Sequence, residues 1–136
     1  MSRGTYGRRE FLAGLAGALA LPALRRRVAG AQSDHPRPRP GIDASRVVPA
    51  ERLGDHPDAA PVFDMVRRMP QVMDGIRCHC GCGEQPDKYS LLSCFEGDGM
   101  ARECRDCLGQ ARLAHGLHRR GRTLDEIRAA IDAKYD

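Results

Sequence analysis

Cys78-His79-Cys80-Gly81-Cys82-Gly83 decides how this chain is read, together with Cys94 and the pair Cys104-x-x-Cys107. All six cysteines of the 136-residue chain fall within this stretch, and three of them share five consecutive positions. In an extended segment residues i, i+2 and i+4 point to one side. That geometry would leave Cys78 and Cys82 about 13 Å apart at ~3.3 Å per residue. One metal ion cannot hold thiolates so distant, because Zn–S bonds are only ~2.3 Å. A metal-binding loop therefore has to curl, and Gly81 and Gly83 permit this because glycine tolerates positive φ. A curled loop also turns backbone N–H groups toward the sulfurs.

Cys104 and Cys107 form the second half. A helix starting near residue 102 places both thiols in its first turns, on one face at i, i+3. Free N–H groups and the helix dipole favour thiolate there. The expected soft-metal site draws on Cys78, Cys80, Cys82, Cys94, Cys104 and Cys107, with Zn²⁺ or Cu⁺ as the ion that sulfur ligands select. Two other readings compete. In one, three disulfides pair each of Cys78, Cys80 and Cys82 with one of Cys94, Cys104 and Cys107, bonds within the short loop being strained. In the other, Cys104 and Cys107 exchange disulfides with exported proteins, assisted by Arg102 and Arg105, although no thioredoxin-like βαβ pattern surrounds them. His79 reads as an exposed filler between ligands. His115 lies about 12 Å along a helix axis from Cys107 at ~1.5 Å per residue, too far for one ion. It and His118 read as helix-end residues.

Outward from the cysteines, the N-terminus reads as an export signal. Arg8-Arg9-Glu10-Phe11-Leu12 precedes a modest apolar run to Leu24 and the small residues Ala29-Gly30-Ala31, which resembles a twin-arginine leader. The apolar run contains Pro22 and is shorter than the ~20 residues a bilayer span needs. Residues 1–31 are thus expected to be a leader, delivering the protein to the periplasm or cell exterior, or tethering it to the membrane where the leader stays attached. Twin-arginine substrates resemble proteins that fold before export, in a reducing compartment where metal loads and disulfides form poorly. The leader carries six of the 22 Lys and Arg residues and one of the 18 acidic ones. Without it the chain is close to neutral, which gives no reason to expect nucleic acid as a partner.

From residue 32 to 60 prolines dominate, including Pro36-Arg37-Pro38-Arg39-Pro40. The expectation is a disordered spacer, in which His35 and His56 are plain linker residues. Residues 61–136 are expected to form a mainly α, cysteine-rich domain. Val62, Phe63, Val66 and Met69 recur at helical spacing, and Pro70 should break or kink that helix. Residues 89–95 suit a short helix, and Glu96-Gly97-Asp98-Gly99 a turn. A helix fits from about Ala101 to His118, with Gly121 as its C-terminal cap. Thr123-x-x-Glu126 is a capping box that opens a last amphipathic helix, antiparallel to the one before. The Cys78–Cys82 loop is expected to pack near the start of the Cys104 helix. With few aromatic residues the core is thin, and small exported domains then rely on metal or cross-links.

Pro70, Cys80-Gly81-Cys82-Gly83, Ser93-Cys94-Phe95, Cys104-x-x-Cys107, Gly121, Glu126-Ile127 and Ile131-Asp132-x-x-Tyr135 occur in an order that resembles the bacterial family named for its Pro-Cys-Tyr-Cys-Gly-Cys motif. Here Arg77-Cys78-His79 stands where that family has Pro-Cys-Tyr. The resemblance implies an exported, metal-binding domain and supplies no reaction. No catalytic constellation is visible, so an enzyme is not expected, thiol–disulfide exchange being the exception. The expected partners are the metal ion, the twin-arginine export machinery, and an exported metalloprotein or other recipient of the metal. Mass spectrometry of the exported protein should find Gln32 at its N-terminus, and replacing Arg8 and Arg9 together with Lys should hold the precursor in the cytoplasm.

Overall fold

The structure, a computed structural model, describes residues 34–136. The leader and its cleavage position lie outside these residues. Four α-helices carry the domain: α1 (Ala60–Arg67), α2 (Pro70–Asp74), α3 (Arg105–Arg119) and α4 (Leu124–Tyr135). Single 3-10 turns link them, among them Cys82–Glu84, Leu91–Phe95 and Met100–Glu103. Among the described residues there is no strand, only an isolated antiparallel bridge between Val47 and Glu96. No described helix is long and apolar enough to cross a membrane.

The expected helical spacing in the first helix is realised, with Val62, Phe63 and Val66 on the buried face of α1. Phe63 meets Phe95 edge-on at a centroid distance of 4.8 Å, the arrangement that aromatic quadrupoles favour. α1 ends at Arg67, so the expected break ahead of Pro70 is realised, and Pro70 itself opens α2. In a first turn its missing N–H has no helical partner to lose. The buried face of α3 is Cys107, Gln110, Ala111 and Ala114, one stripe of i, i+3, i+4, i+7 spacing. The small alanines let α3 lie closely against both α1 and α4. Gly121 takes φ +74°. Its N–H bonds His118 O at 2.9 Å while Arg122 N–H bonds Leu117 O at 3.2 Å, the paired C-terminal closure that only a left-handed residue permits. The Thr123–Glu126 capping box forms reciprocally and starts α4.

α3 begins later than its sequence suggests. Residues Met100–Glu103 form a 3-10 turn, and Cys104, with extended φ −101° and ψ 106°, is the N-cap of α3 rather than a first-turn residue.

The proline-rich segment departs most from expectation. Residues 34–60 do not behave as a free spacer but run as a strap across the domain. Val47, Val48 and Leu53 are buried, and Val48 N–H bonds Phe95 O at 3.0 Å. Asp74, with a side chain 0% exposed, accepts from Arg39 N–H at 2.7 Å, from its Nε at 3.1 Å and Nη2 at 2.7 Å, and from Ser90 Oγ at 2.8 Å. The Arg39 guanidinium also stacks 4.4 Å over the Tyr89 ring. Carbonyls of the strap are taken by side chains of the domain: Arg128 Nη2 donates to Pro36 O at 2.8 Å, Tyr89 Oη to Arg37 O at 2.6 Å and Gln71 Nε2 to Ile42 O at 2.8 Å. A proline-rich strand makes no internal hydrogen bonds, so its carbonyls are free for such donors, and its stiffness lowers the entropy lost on docking.

Burial alone would raise the Asp74 pKa, but the Arg39 side chain and backbone N–H and the Ser90 hydroxyl outweigh it and hold the carboxyl below its usual 3.8. A group whose folded value is depressed adds stability above its unfolded value, and that stability is lost as pH falls through the folded one. Unfolding titrations should therefore show stability declining below about pH 4, less steeply in Asp74→Asn. Arg39→Ala should cost about 3–5 kcal/mol, since it leaves the buried Asp74 carboxylate without its counter-charge, and Asp74→Ala should cost less because the part-exposed Arg39 can turn to water.

Candidate metal centre

The chain reaches the cysteine loop directly from α2. Ile76 is buried and its carbonyl accepts Leu91 N–H at 2.7 Å, fixing the base of the loop against the Leu91–Phe95 turn. Gly81 adopts φ +85° and leads into the 3-10 turn Cys82–Glu84. This is the curl that convergence of the sulfurs demands. The Cys78 sulfur lies 3.1 Å from that of Cys80, 3.3 Å from that of Cys82 and 3.5 Å from that of Cys107. The sulfurs of Cys80 and Cys107 are 3.4 Å apart. These four ligand atoms all lie within 4.8 Å of one another. A tetrahedral ion with ~2.3 Å bonds spaces sulfurs about 3.8 Å apart, so the group can close on a thiophilic cation once the bonding contact between Cys80 and Cys82 is reduced and opened.

Two expected ligands lie outside this group of four, one of them touching it. Cys94 is fully buried behind the group, its sulfur 3.5 Å from that of Cys82. The Cys104 sulfur accepts the backbone N–H of Cys107 at 3.2 Å, which satisfies one of the orphan donors at the start of α3. The two cysteines of the Cys-x-x-Cys pair thus have separate tasks, a helix cap and a member of the sulfur group.

Cys80 and Cys82 are in bonding contact, while Cys78, Cys94, Cys104 and Cys107 are free thiols. A bond inside the short loop was expected to be strained. The turn at Gly81 brings the two Cα atoms to 5.6 Å, within the ordinary span of a bridge. No loop cysteine is bonded to Cys94, Cys104 or Cys107.

The thiols share their protons unevenly. Hydrogen bonding from Cys107, then from Cys94, lowers the Cys78 pKa to about 3 against the opposing effect of burial. Cys107 draws Cys94 down, but the bond to Cys78 and burial prevail and push it up to about 12. Cys107 is also pushed up, first by its bond to Cys78 and then by those to Cys94 and by burial. The free thiols thus favour a negative charge on Cys78 and protons on Cys94 and Cys107. A bound cation would take the place of those protons.

His79 is not the exposed filler expected. Its side chain is 2% exposed, with Nδ1 3.0 Å from Arg77 O and Nε2 3.0 Å from Asp132 Oδ1. Nor is His35 a linker residue. It is 1% exposed, accepts Arg77 N–H on Nδ1 at 2.9 Å, and meets Asp132 Oδ1 with Nε2 at 2.8 Å. Burial lowers its pKa, against the raising effect of Asp132. Gln110, fully buried one turn beyond Cys107, accepts His79 N–H at 3.2 Å, and its amide nitrogen has no partner among the described residues. None of this second group was picked out by spacing. Its one signal was Asp132, in the Ile131-Asp132-x-x-Tyr135 pattern.

The chain belongs to the family described as "Protein of unknown function with PCYCGC motif", which matches residues 43–136. No curated protein and no solved structure matches it.

The divided roles of the Cys-x-x-Cys pair can be read out. Cys107→Ser should weaken binding of a thiophilic metal by about 100-fold or more in competition titrations, beyond the 10–100-fold typical of outer-shell partners. Cys104→Ser should leave that affinity nearly unchanged because serine caps helices well, and Cys104→Ala should cost about 1 kcal/mol of stability.

Proposed function

We propose, with that membership as premise, that this is an exported carrier of a soft d¹⁰ cation, Cu⁺ as transferable cargo in preference to Zn²⁺ as a structural centre. The observation that carries the reading is the convergence of Cys78, Cys80, Cys82 and Cys107 from two separated segments. Thiolate ligands select Cu⁺ and Zn²⁺ alike, and it is the placement of the group that supports Cu⁺. Phe63, Met73, Ile76, Leu91, Phe95, Ile127 and Ile131 are fully buried on contacts of their own, which leaves the fold little need of a structural ion. Cys80 is only half-buried, and Cys78 lines an open depression of about 280 Å³, a route by which a partner's thiol could reach the cargo. A twin-arginine route would let the metal load before the protein reaches the periplasm or cell exterior, where an exported metalloprotein is the natural recipient.

The bonding contact of Cys80 with Cys82, beside the thiolate of Cys78, favours one second reading: thiol–disulfide exchange centred on the loop. That role had been expected of Cys104 and Cys107, whose sulfurs serve different ends. Metal analysis and thiol titration of protein from an exported fraction separate the readings. Cargo binding predicts about one Cu⁺ per chain and six titratable thiols once the metal is chelated. Metal-free protein with four titratable thiols would replace it with the exchange reading. Metal-free protein with none would defeat both.

A further inference from the structure

Beside the sulfur group lies a second set of donors of different chemistry. The Nδ1 atom of His79 is 3.0 Å from Arg77 O and 3.2 Å from Gln110 Oε1. A carbonyl only accepts, and the Gln110 amide is oriented by the His79 N–H that its Oε1 receives at 3.2 Å. Nδ1 therefore carries the hydrogen and donates, and Nε2 is the ring nitrogen left to face a cation. What Nε2 faces is Asp132 Oδ1 at 3.0 Å and Asp136 Oδ1 at 3.2 Å. One imidazole nitrogen and two carboxylates thus converge, with the His79 side chain 2% exposed.

Several features sharpen the case. The two aspartates are four residues apart at the end of α4, on one helical face. The dipole's negative end there adds to their charge. Arg77 Nη2 balances part of it, 3.0 Å from Asp136 Oδ1. His35 has another task. Because its Nδ1 accepts Arg77 N–H at 2.9 Å, its Nε2 carries the hydrogen and donates to Asp132 Oδ1 at 2.8 Å. A carboxylate steadied from behind by an N–H is the usual support for a metal-bound oxygen. Metal–ligand bonds of ~2.0–2.1 Å space nitrogen and oxygen ligands about 3.3 Å apart around a tetrahedral ion, close to the separations seen here. The depression that Cys78 lines is also bordered by His79, Glu84, Tyr135 and Asp136, so remaining coordination positions open toward water.

We propose that His79 Nε2, Asp132 and Asp136 form a second cation site, for a borderline divalent ion of the Zn²⁺, Co²⁺ or Cu²⁺ class, positioned by His35. The site stands on its own donors and does not require the thiolate reading. Nitrogen and carboxylate oxygen suit such ions, whereas Cu⁺ favours the sulfurs. The two sites share the Cys78-His79-Cys80 backbone, so filling either one stiffens the loop that carries the other.

Co²⁺ titration of the reduced full chain under anaerobic conditions tests this, because its spectra distinguish ligand types. Two equivalents are expected, one giving sulfur-to-cobalt charge transfer and one giving only weak d–d bands. Asp132→Asn, and Asp136→Asn at the exposed end of α4, should each weaken the second phase about tenfold or more. Both should leave the charge-transfer phase and the helical circular dichroism unchanged. ¹⁵N spectra should show the His79 Nε2 resonance, and not that of His35, shifting with the second phase. A single phase with charge transfer, or a nitrogen–oxygen phase indifferent to both substitutions, would overturn the proposal. Loss of the charge-transfer phase alone would instead remove the thiolate site and leave this one standing.

Discussion

A buried carboxylate organises this domain. Asp74 closes α2, and the groups that neutralise it come from both sides in sequence: Arg39 on the strap before it and Ser90 at the start of the Leu91–Phe95 turn after it. A carboxylate taken from water without such partners would cost several kcal/mol, so these segments have to arrive together. Their arrival sets the two ends of the stretch between Gly75 and Ser90, which contains the cysteine loop. Gly75 itself sits tightly enough that a Cβ would come within 3.0 Å of Pro38 and 2.7 Å of Leu124. The loop is therefore held at its base by polar closure, while its tip curls at Gly81.

The strap also explains how two donor groups come to share a small region. By running back over α2 toward α4 it places His35 against Asp132, 97 residues away in sequence. The sulfurs face Cys107 of α3, while His79 turns Nε2 to Asp132 of α4 and Nδ1 to Gln110 of α3. One short segment thus presents soft donors to one neighbour and a nitrogen donor to another.

Much of the helical frame was legible because its signals are local. The Thr123–Glu126 box, the left-handed Gly121 and the stripe Val62, Phe63, Val66 each act within a turn or two. Convergence of the sulfurs was legible from Gly81, since an extended backbone would hold Cys78 and Cys82 apart and a glycine permits the curl. The strap was not legible, because composition rules weigh apolar burial and its proline-rich part, Pro36 to Ile42, docks through carbonyls and one arginine. His35 and Asp132 were hidden by their separation. Cys104 misled because a cysteine accepting the N–H of Cys107 has the same sequence spacing as a ligand pair, and only the extended backbone at residue 104 tells them apart.

The family match begins at residue 43, while Arg39 and His35 lie ahead of it. A protein cut back to that boundary would keep every cysteine, every α-helix and the motif for which the family is named. It would nevertheless carry an enclosed anion with no counter-charge beneath the loop, and an aspartate robbed of its imidazole brace. The sequence boundary of the family and the mechanical boundary of the folded unit are therefore different places in this chain.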